Sequence, residues 1–192
     1  TIYNTVKDQI TDKEVLSRFK KDFLKYVSDD EKKLDIIERI SAWFDELEID
    51  HIYLKGASLK EAYPNTYMRS MGDIDVLVRE KDFTAANNLL IEKGFTVDSE
   101  GSVHNVLLYG DIEVELHRTL VQDLDKDQFK ALANIWDHSH IMNATNWTMD
   151  TEYEVIFLLY HIRKHLLSSG VGLRNILDIG IYFNHFSVPD HE

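Results

Sequence analysis

Two aspartates one residue apart, in Gly72-Asp73-Ile74-Asp75-Val76-Leu77-Val78, are the residues of this chain best suited to chemistry. Alternation with period two predicts a strand, with Ile74, Val76 and Val78 on the core face and Asp73 and Asp75 on the other. Two carboxylates about 7 Å apart along one strand repel each other unless a cation lies between them. A hard divalent ion, Mg²⁺ or Mn²⁺, is the natural partner, because it takes one or two carboxylates and completes its shell with water and substrate phosphate. Alone, an Asp-x-Asp is more often a solvated strand face, and the match is nonspecific.

Two further segments bear on it. Upstream, His51-Ile52-Tyr53-Leu54 predicts a short strand running into Lys55-Gly56-Ala57-Ser58 and the start of a helix. A glycine turn of this kind brings backbone N–H groups close to a phosphate, with Lys55 adding charge and Ser58 a hydroxyl. By itself the segment also reads as an ordinary strand-to-helix turn. Downstream, Ile112-Glu113-Val114-Glu115-Leu116-His117 alternates again and puts Glu113, Glu115 and His117 on one strand face. A third carboxylate on a neighbouring strand completes a set able to hold two metal ions, one activating a hydroxyl and one steadying a triphosphate.

The order of strand with Gly-x-Ser, strand with Asp-x-Asp and strand with a third acid resembles the DNA polymerase β-type nucleotidyltransferase superfamily. Leu54 to Leu59, Ala62-Tyr63-Pro64, Arg69 and Gly72 to Val78 are similar to a branch of uncharacterised bacterial nucleotidyltransferase-like proteins, as is the acid-Leu-His ending Glu115-Leu116-His117. The resemblance covers roughly residues 48 to 182. It departs from the superfamily pattern at Gly56-Ala57, where Gly-Ser or Gly-Gly is usual, and in a longer gap before Asp73 that Pro64 to Met71 fills. It implies Asp73 and Asp75 as metal ligands, Glu115 as the third acid and proton acceptor, and His117 as a hydrogen-bond partner of a ligating carboxylate. Lys55, Gly56, Ser58 and Arg69 would meet the triphosphate. The activity implied is metal-dependent transfer of a nucleoside monophosphate from a triphosphate to a hydroxyl of a small molecule or protein. A non-catalytic nucleotide- or partner-binding module on the same fold is the alternative.

The elements that must position these residues make an α+β fold: a small mixed sheet flanked by N-terminal and C-terminal helices. Residues 1–48 are expected as a helical segment, 49–122 as the nucleotidyltransferase-like core and 123–192 as a mainly helical segment. Val15, Leu16, Phe19, Phe23 and Leu24 predict a first helix capped by Asp12, and the stripe from Leu34 to Leu47 a second beginning near Asp30. Asp82 is expected to cap a helix that stops at Gly94. Strands are expected over Phe95–Asp98 and Val103–Tyr109, with a tight turn at Gly110-Asp111. Tyr153–Leu167 and Leu173–Phe186 read as helices, and residues 139–149 are ambiguous. His161 and His165 share a helix face, but no Glu follows His161 and no third ligand is evident, so they read as a surface or interdomain pair. Arg174 and Asp178 read as an i,i+4 pair.

The chain's 192 residues carry a formal net charge of −13 and no cysteine. The charge disfavours a polynucleotide partner, which usually requires a basic face. No run approaches the roughly 18 apolar residues of a membrane helix, and no secretion signal is visible, so a cytoplasmic, metal-loaded enzyme is the expectation. The ending Pro189-Asp190-His191-Glu192, soon after a helix, fits a piece of a longer protein as well as a whole one.

Overall fold

A computed structural model describes residues 2–122, 125, 127–168 and 170–185. After a short helix α1 (Ile2–Val6), Asp12 opens α2 (Lys13–Glu46), its side chain accepting from the N–H groups of Glu14 and Val15 at 2.9 and 3.2 Å. The two helices expected here are one of 34 residues. No Gly or Pro interrupts it, and Asp30, expected to begin the second, is buried inside it and paired with Lys60. Its C-terminal half carries Ile36, Ile40 and Phe44 into the core.

Next come β1 (His51–Tyr53), the one-turn α3 (Gly56–Leu59), two 3-10 turns (Lys60–Ala62 and Thr66–Met68) and β2 (Ile74–Val78). The first 3-10 turn stops at Tyr63, whose extended backbone is what a residue before proline requires. Asp82 stands at the start of α4 (Phe83–Glu92) but makes no capping bond, and Gly94, at φ +101°, turns the chain out of that helix. Then follow β3 (Thr96–Glu100), β4 (His104–Tyr109) and β5 (Ile112–His117). After α5 (Lys130–Ala133), residues 139–149 resolve into a hairpin of β6 (Ser139–Asn143) and β7 (Asn146–Met149). The chain closes on α6 (Thr151–Ser168) and α7 (Leu173–His185); Phe186 lies outside the described residues.

The seven strands form one mixed sheet in the order β3-β4-β5-β2-β1-β7-β6. Arg79 stacks on Trp136 and Trp147 and pairs with Asp50, which also accepts from the Trp147 indole. These contacts dock β7 beside β1. One face of the sheet packs on α2 and α4 through Phe44, Ile74, Val76, Val78, Leu90 and Val114. The other meets α5 and α6 through Ile52, Leu54, Leu77, Leu132 and Phe157. Alternation along β2 therefore sends Ile74, Val76 and Val78 to the first face and Asp73 and Asp75 to the second, as expected. Leu77 shares the second face and is as buried as its neighbours, because α6 covers that side.

Candidate active site

Strands β2 and β5 run parallel, with Asp75 directly opposite Glu115 and Leu77 opposite His117. That register converts two separate acidic motifs into one nest: an oxygen of each of Asp73, Asp75 and Glu115 lies within 4.8 Å of the other two. Burial pushes the Asp73 carboxyl up, and the neighbouring Asp75 charge adds to the rise. Burial also pushes Asp75 up, but the Lys55 charge and the His117 hydrogen bond outweigh it and hold Asp75 well below the usual carboxylate range. Hard oxygen donors this close suit a divalent ion such as Mg²⁺ or Mn²⁺. The donor set therefore fits the expected metal.

Lys55 is the counter-charge already in place. Its Nζ lies 2.5 Å from Asp75 Oδ1 and 3.9 Å from Glu115 Oε2. Its backbone adopts φ +49°, a region costly for a residue with a Cβ. The turn that holds it there packs tightly: a Cβ at Gly56 would come 3.1 Å from Met71 Cγ and 3.2 Å from Arg69 Nη1. His117, buried behind the acids, donates from Nε2 toward Asp75 Oδ1 and Glu115 Oε2, each at 3.1 Å. Burial lowers its pKa, but these two hydrogen bonds reverse the shift and raise it.

The loop that delivers Asp73 is clamped from α2. Lys33 Nζ donates to the carbonyls of Met71 at 2.5 Å and Gly72 at 2.8 Å, the two residues just before Asp73. Lys60, buried, pairs with Asp30 and donates to the carbonyls of Thr66 and Arg69, each at 3.1 Å.

Two groups expected at phosphate have protein partners, and Arg69 also lines the smaller cavity of the cleft. The Ser58 hydroxyl lies 2.9 Å from Glu154 Oε1 and 3.1 Å from the Lys55 carbonyl, and its single proton serves one at a time. Arg69, with a side chain only 6% exposed, donates from Nε to Asp178 Oδ1 at 2.7 Å. Tyr63 donates to the same oxygen at 2.6 Å. Asp178 thus pairs with Arg69, not with Arg174, because α7 lies against the loop and presents Asp178 to it; Arg174 instead donates to Ser70 Oγ at 3.1 Å. Tyr67 packs edge-on against Phe23. Glu113 is exposed.

His161 and His165, expected as a surface or interdomain pair, are half-buried. Their Nε2 atoms lie 2.9 Å apart, and both rings line the cleft between α6 and the acidic nest. Burial, Lys55 and His165 together push His161 down to about 3, so it is neutral at pH 7. The cleft comprises a cavity of about 150 Å³ lined by Lys55, Gly56, Asp73, Asp75, His161 and Arg174. Beside it lies a larger cavity of about 550 Å³ reached by Lys55, Glu115 and His117, a volume in the range of small-molecule sites.

Sequence reasoning missed Glu154, which is buried on α6 with Ser58 as a partner. Burial pushes its carboxyl from 4.5 up to about 7, and Ser58 offsets part of the rise. A raised acid stabilises the fold in its neutral form: the contribution is complete below about 4.5 and is lost as pH climbs through about 7. Glu154→Gln is expected to match wild type in thermal stability at pH 5 and to exceed it at pH 8, by up to about 3 kcal/mol. Parallel stability profiles for the two proteins across that interval would count against this placement of Glu154.

Over residues 2–191 the chain matches the family described as uncharacterised nucleotidyltransferase. No curated protein matches it. Among solved structures it is similar to the antibiotic-resistance factor ANT(2'')-Ia in solution, at TM-score 0.63 and 15% identity over 81% of this chain and 84% of that one. A crystal structure of ANT(2'')-Ia in complex with adenylyl-2''-tobramycin aligns at TM-score 0.61 and 14% identity, over 80% and 88% of the two chains. The Megavirus polyadenylate synthase covers 99% of this chain with 38% of its own length, at TM-score 0.59 and 13% identity. At these identities the likenesses speak to the fold. Among the described residues no helix is long and apolar enough to cross a membrane.

Proposed function

Because the chain belongs to the uncharacterised nucleotidyltransferase family, we propose that it transfers a nucleoside monophosphate from a metal-bound triphosphate to a hydroxyl of a small molecule or protein. The observation that carries this reading is the convergence of Asp73, Asp75 and Glu115 at the mouth of a cleft large enough for a small ligand. These three side chains would hold a Mg²⁺ or Mn²⁺ ion, which when bound supplies Lewis-acid stabilisation to the triphosphate and the departing pyrophosphate. Lys55 Nζ meets the triphosphate charge. The tight packing at Gly56, where a Cβ would meet Met71 and Arg69, keeps Lys55 at the cleft. Glu115 accepts the proton of the acceptor hydroxyl as that oxygen bonds to the α-phosphorus and the bond to the β-phosphate oxygen breaks. Arg69 and Ser58 act from behind, fixing the wall of the cleft through Asp178 and Glu154.

The adenylyl-tobramycin complex of ANT(2'')-Ia makes polyhydroxylated amines a sensible first class of acceptor for this chain. The net charge of −13 disfavours a polynucleotide.

Incubation with each ribonucleoside triphosphate labelled at the α-phosphate, with Mg²⁺ or Mn²⁺ and a panel of aminoglycosides, other polyols and proteins, tests the reading. Label joined to an acceptor with equimolar pyrophosphate is the expected result. Label released only as free monophosphate would point to hydrolysis. The turned-away Ser58 hydroxyl favours one other reading, a module that binds nucleotide without turnover, and tight binding with no product from any acceptor would establish that instead.

A further inference from the structure

We propose that His104, Glu115 and His117 form a second cation site beside the carboxylate nest, one that takes a borderline transition ion such as Zn²⁺ or Co²⁺ in preference to Mg²⁺. The site follows from the hairpin. Strands β4 and β5 are antiparallel, and their register sets His104 directly opposite His117. Glu115, two residues earlier on β5, faces the same way. The three groups offer one donor atom each within 4.8 Å of one another.

The spacing suits a small ion. Four donors at zinc distances in a tetrahedron stand about 3.3 Å apart. His117 Nε2 lies 3.1 Å from Glu115 Oε2, and His104 Nε2 lies 3.6 Å from Glu115 Oε1. His104 is 30% exposed and lines the larger cavity. The remaining side opens on the cavity of about 550 Å³ that all three residues line, so a fourth position stays accessible to water or substrate, as in catalytic rather than structural zinc sites.

The donor types set the selectivity. Imidazoles favour Zn²⁺, Co²⁺ and their neighbours, whereas Mg²⁺ demands oxygen donors in an octahedron. The ion is a different one from that of nucleotidyl transfer; Glu115 serves both, and His117 Nε2 would exchange its hydrogen bonds to Asp75 and Glu115 for the cation.

The test is a Co²⁺ titration of the metal-free protein, followed by visible absorption, for wild type, His104→Gln and Asp73→Asn. One equivalent of Co²⁺ is expected to give a low-coordinate visible band that excess Mg²⁺ does not remove. His104→Gln should weaken binding by at least about tenfold, while Asp73→Asn should keep the band. Unchanged Co²⁺ binding in His104→Gln, loss of the band in Asp73→Asn, or displacement by Mg²⁺ would overturn the proposal. Thermal unfolding with Zn²⁺ decides the same point without the histidine variant. A rise in melting temperature that persists in Asp73→Asn supports the site, and no rise in either protein refutes it. Failure here leaves nucleotidyl transfer to be judged separately, by label transfer.

Discussion

Asp75→Asn is expected to lower nucleotidyl transfer by more than about a hundredfold, the scale on which loss of one preorganised electrostatic group acts in an active site. The substitution keeps size and shape and removes charge at the most buried member of the nest. Asp75 is 2% exposed and is held ionised against its own burial by Lys55 and His117. With the charge gone, the nest of three acids keeps only Asp73 and Glu115, and Lys55 loses the partner that fixes it 2.5 Å away. The loss should appear in the rate at saturating triphosphate as well as in its binding, because the same group anchors metal and substrate together. Circular dichroism should show the fold retained, since the β2 ladder is backbone-bonded and its core face is Ile74, Val76 and Val78. Transfer within tenfold of wild type would remove Asp75 from the chemistry.

Asp30→Ala should have the largest effect on stability, a loss of about 3–5 kcal/mol. Lys60 would keep an ammonium buried at 3% exposure with two carbonyls and no anion. Burial already lowers the Lys60 pKa, and Asp30 opposes that shift. For a chain of this size such a loss corresponds to a fall of roughly 10–15 °C in melting temperature. Replacing both partners, as Asp30→Leu with Lys60→Met, should recover most of it, because no charge is then stranded. A fall of only a degree or two in the single variant would mean that water reaches the pair. The consequence reaches the site: the same lysine holds the backbone at Thr66 and Arg69, a few residues before Asp73.

Most of the sheet was legible from alternation. The hairpin of β4 and β5 was fully so, because a two-residue turn at Gly110-Asp111 dictates that Tyr109 faces Ile112 and hence that His104 faces His117. Counting along that ladder would have found His104, which sequence reasoning passed over. The pairing of Asp75 with Glu115 could only be guessed, since parallel strands far apart in the chain carry no register in their spacing. The partners of Ser58 and Arg69 were not legible because they are distant: Glu154 lies 96 residues from Ser58 and Asp178 lies 109 from Arg69. A helix pattern shows which face is apolar, not which loop a polar residue on it will meet. The unity of α2 was obscured for a similar reason, because Asp30 looks like a cap until its partner Lys60, 30 residues on, is known. Residues 139–149 were ambiguous because β6 is an edge strand, mostly exposed, and so lacks the apolar alternation that marks a half-buried one.

Asp73, Asp75 and Glu115 are proposed to bind a metal-bound nucleoside triphosphate. Thermal unfolding with each of the four ribonucleoside triphosphates, with and without Mg²⁺ or Mn²⁺, tests it without knowledge of the acceptor. Triphosphate at about a hundred times its dissociation constant adds roughly 2.7 kcal/mol, on the order of 5–10 °C here. The account predicts such a rise with at least one triphosphate, dependent on the metal and absent from Asp73→Ala/Asp75→Ala. The same rise in that variant, or no rise with any triphosphate and either metal, would contradict it.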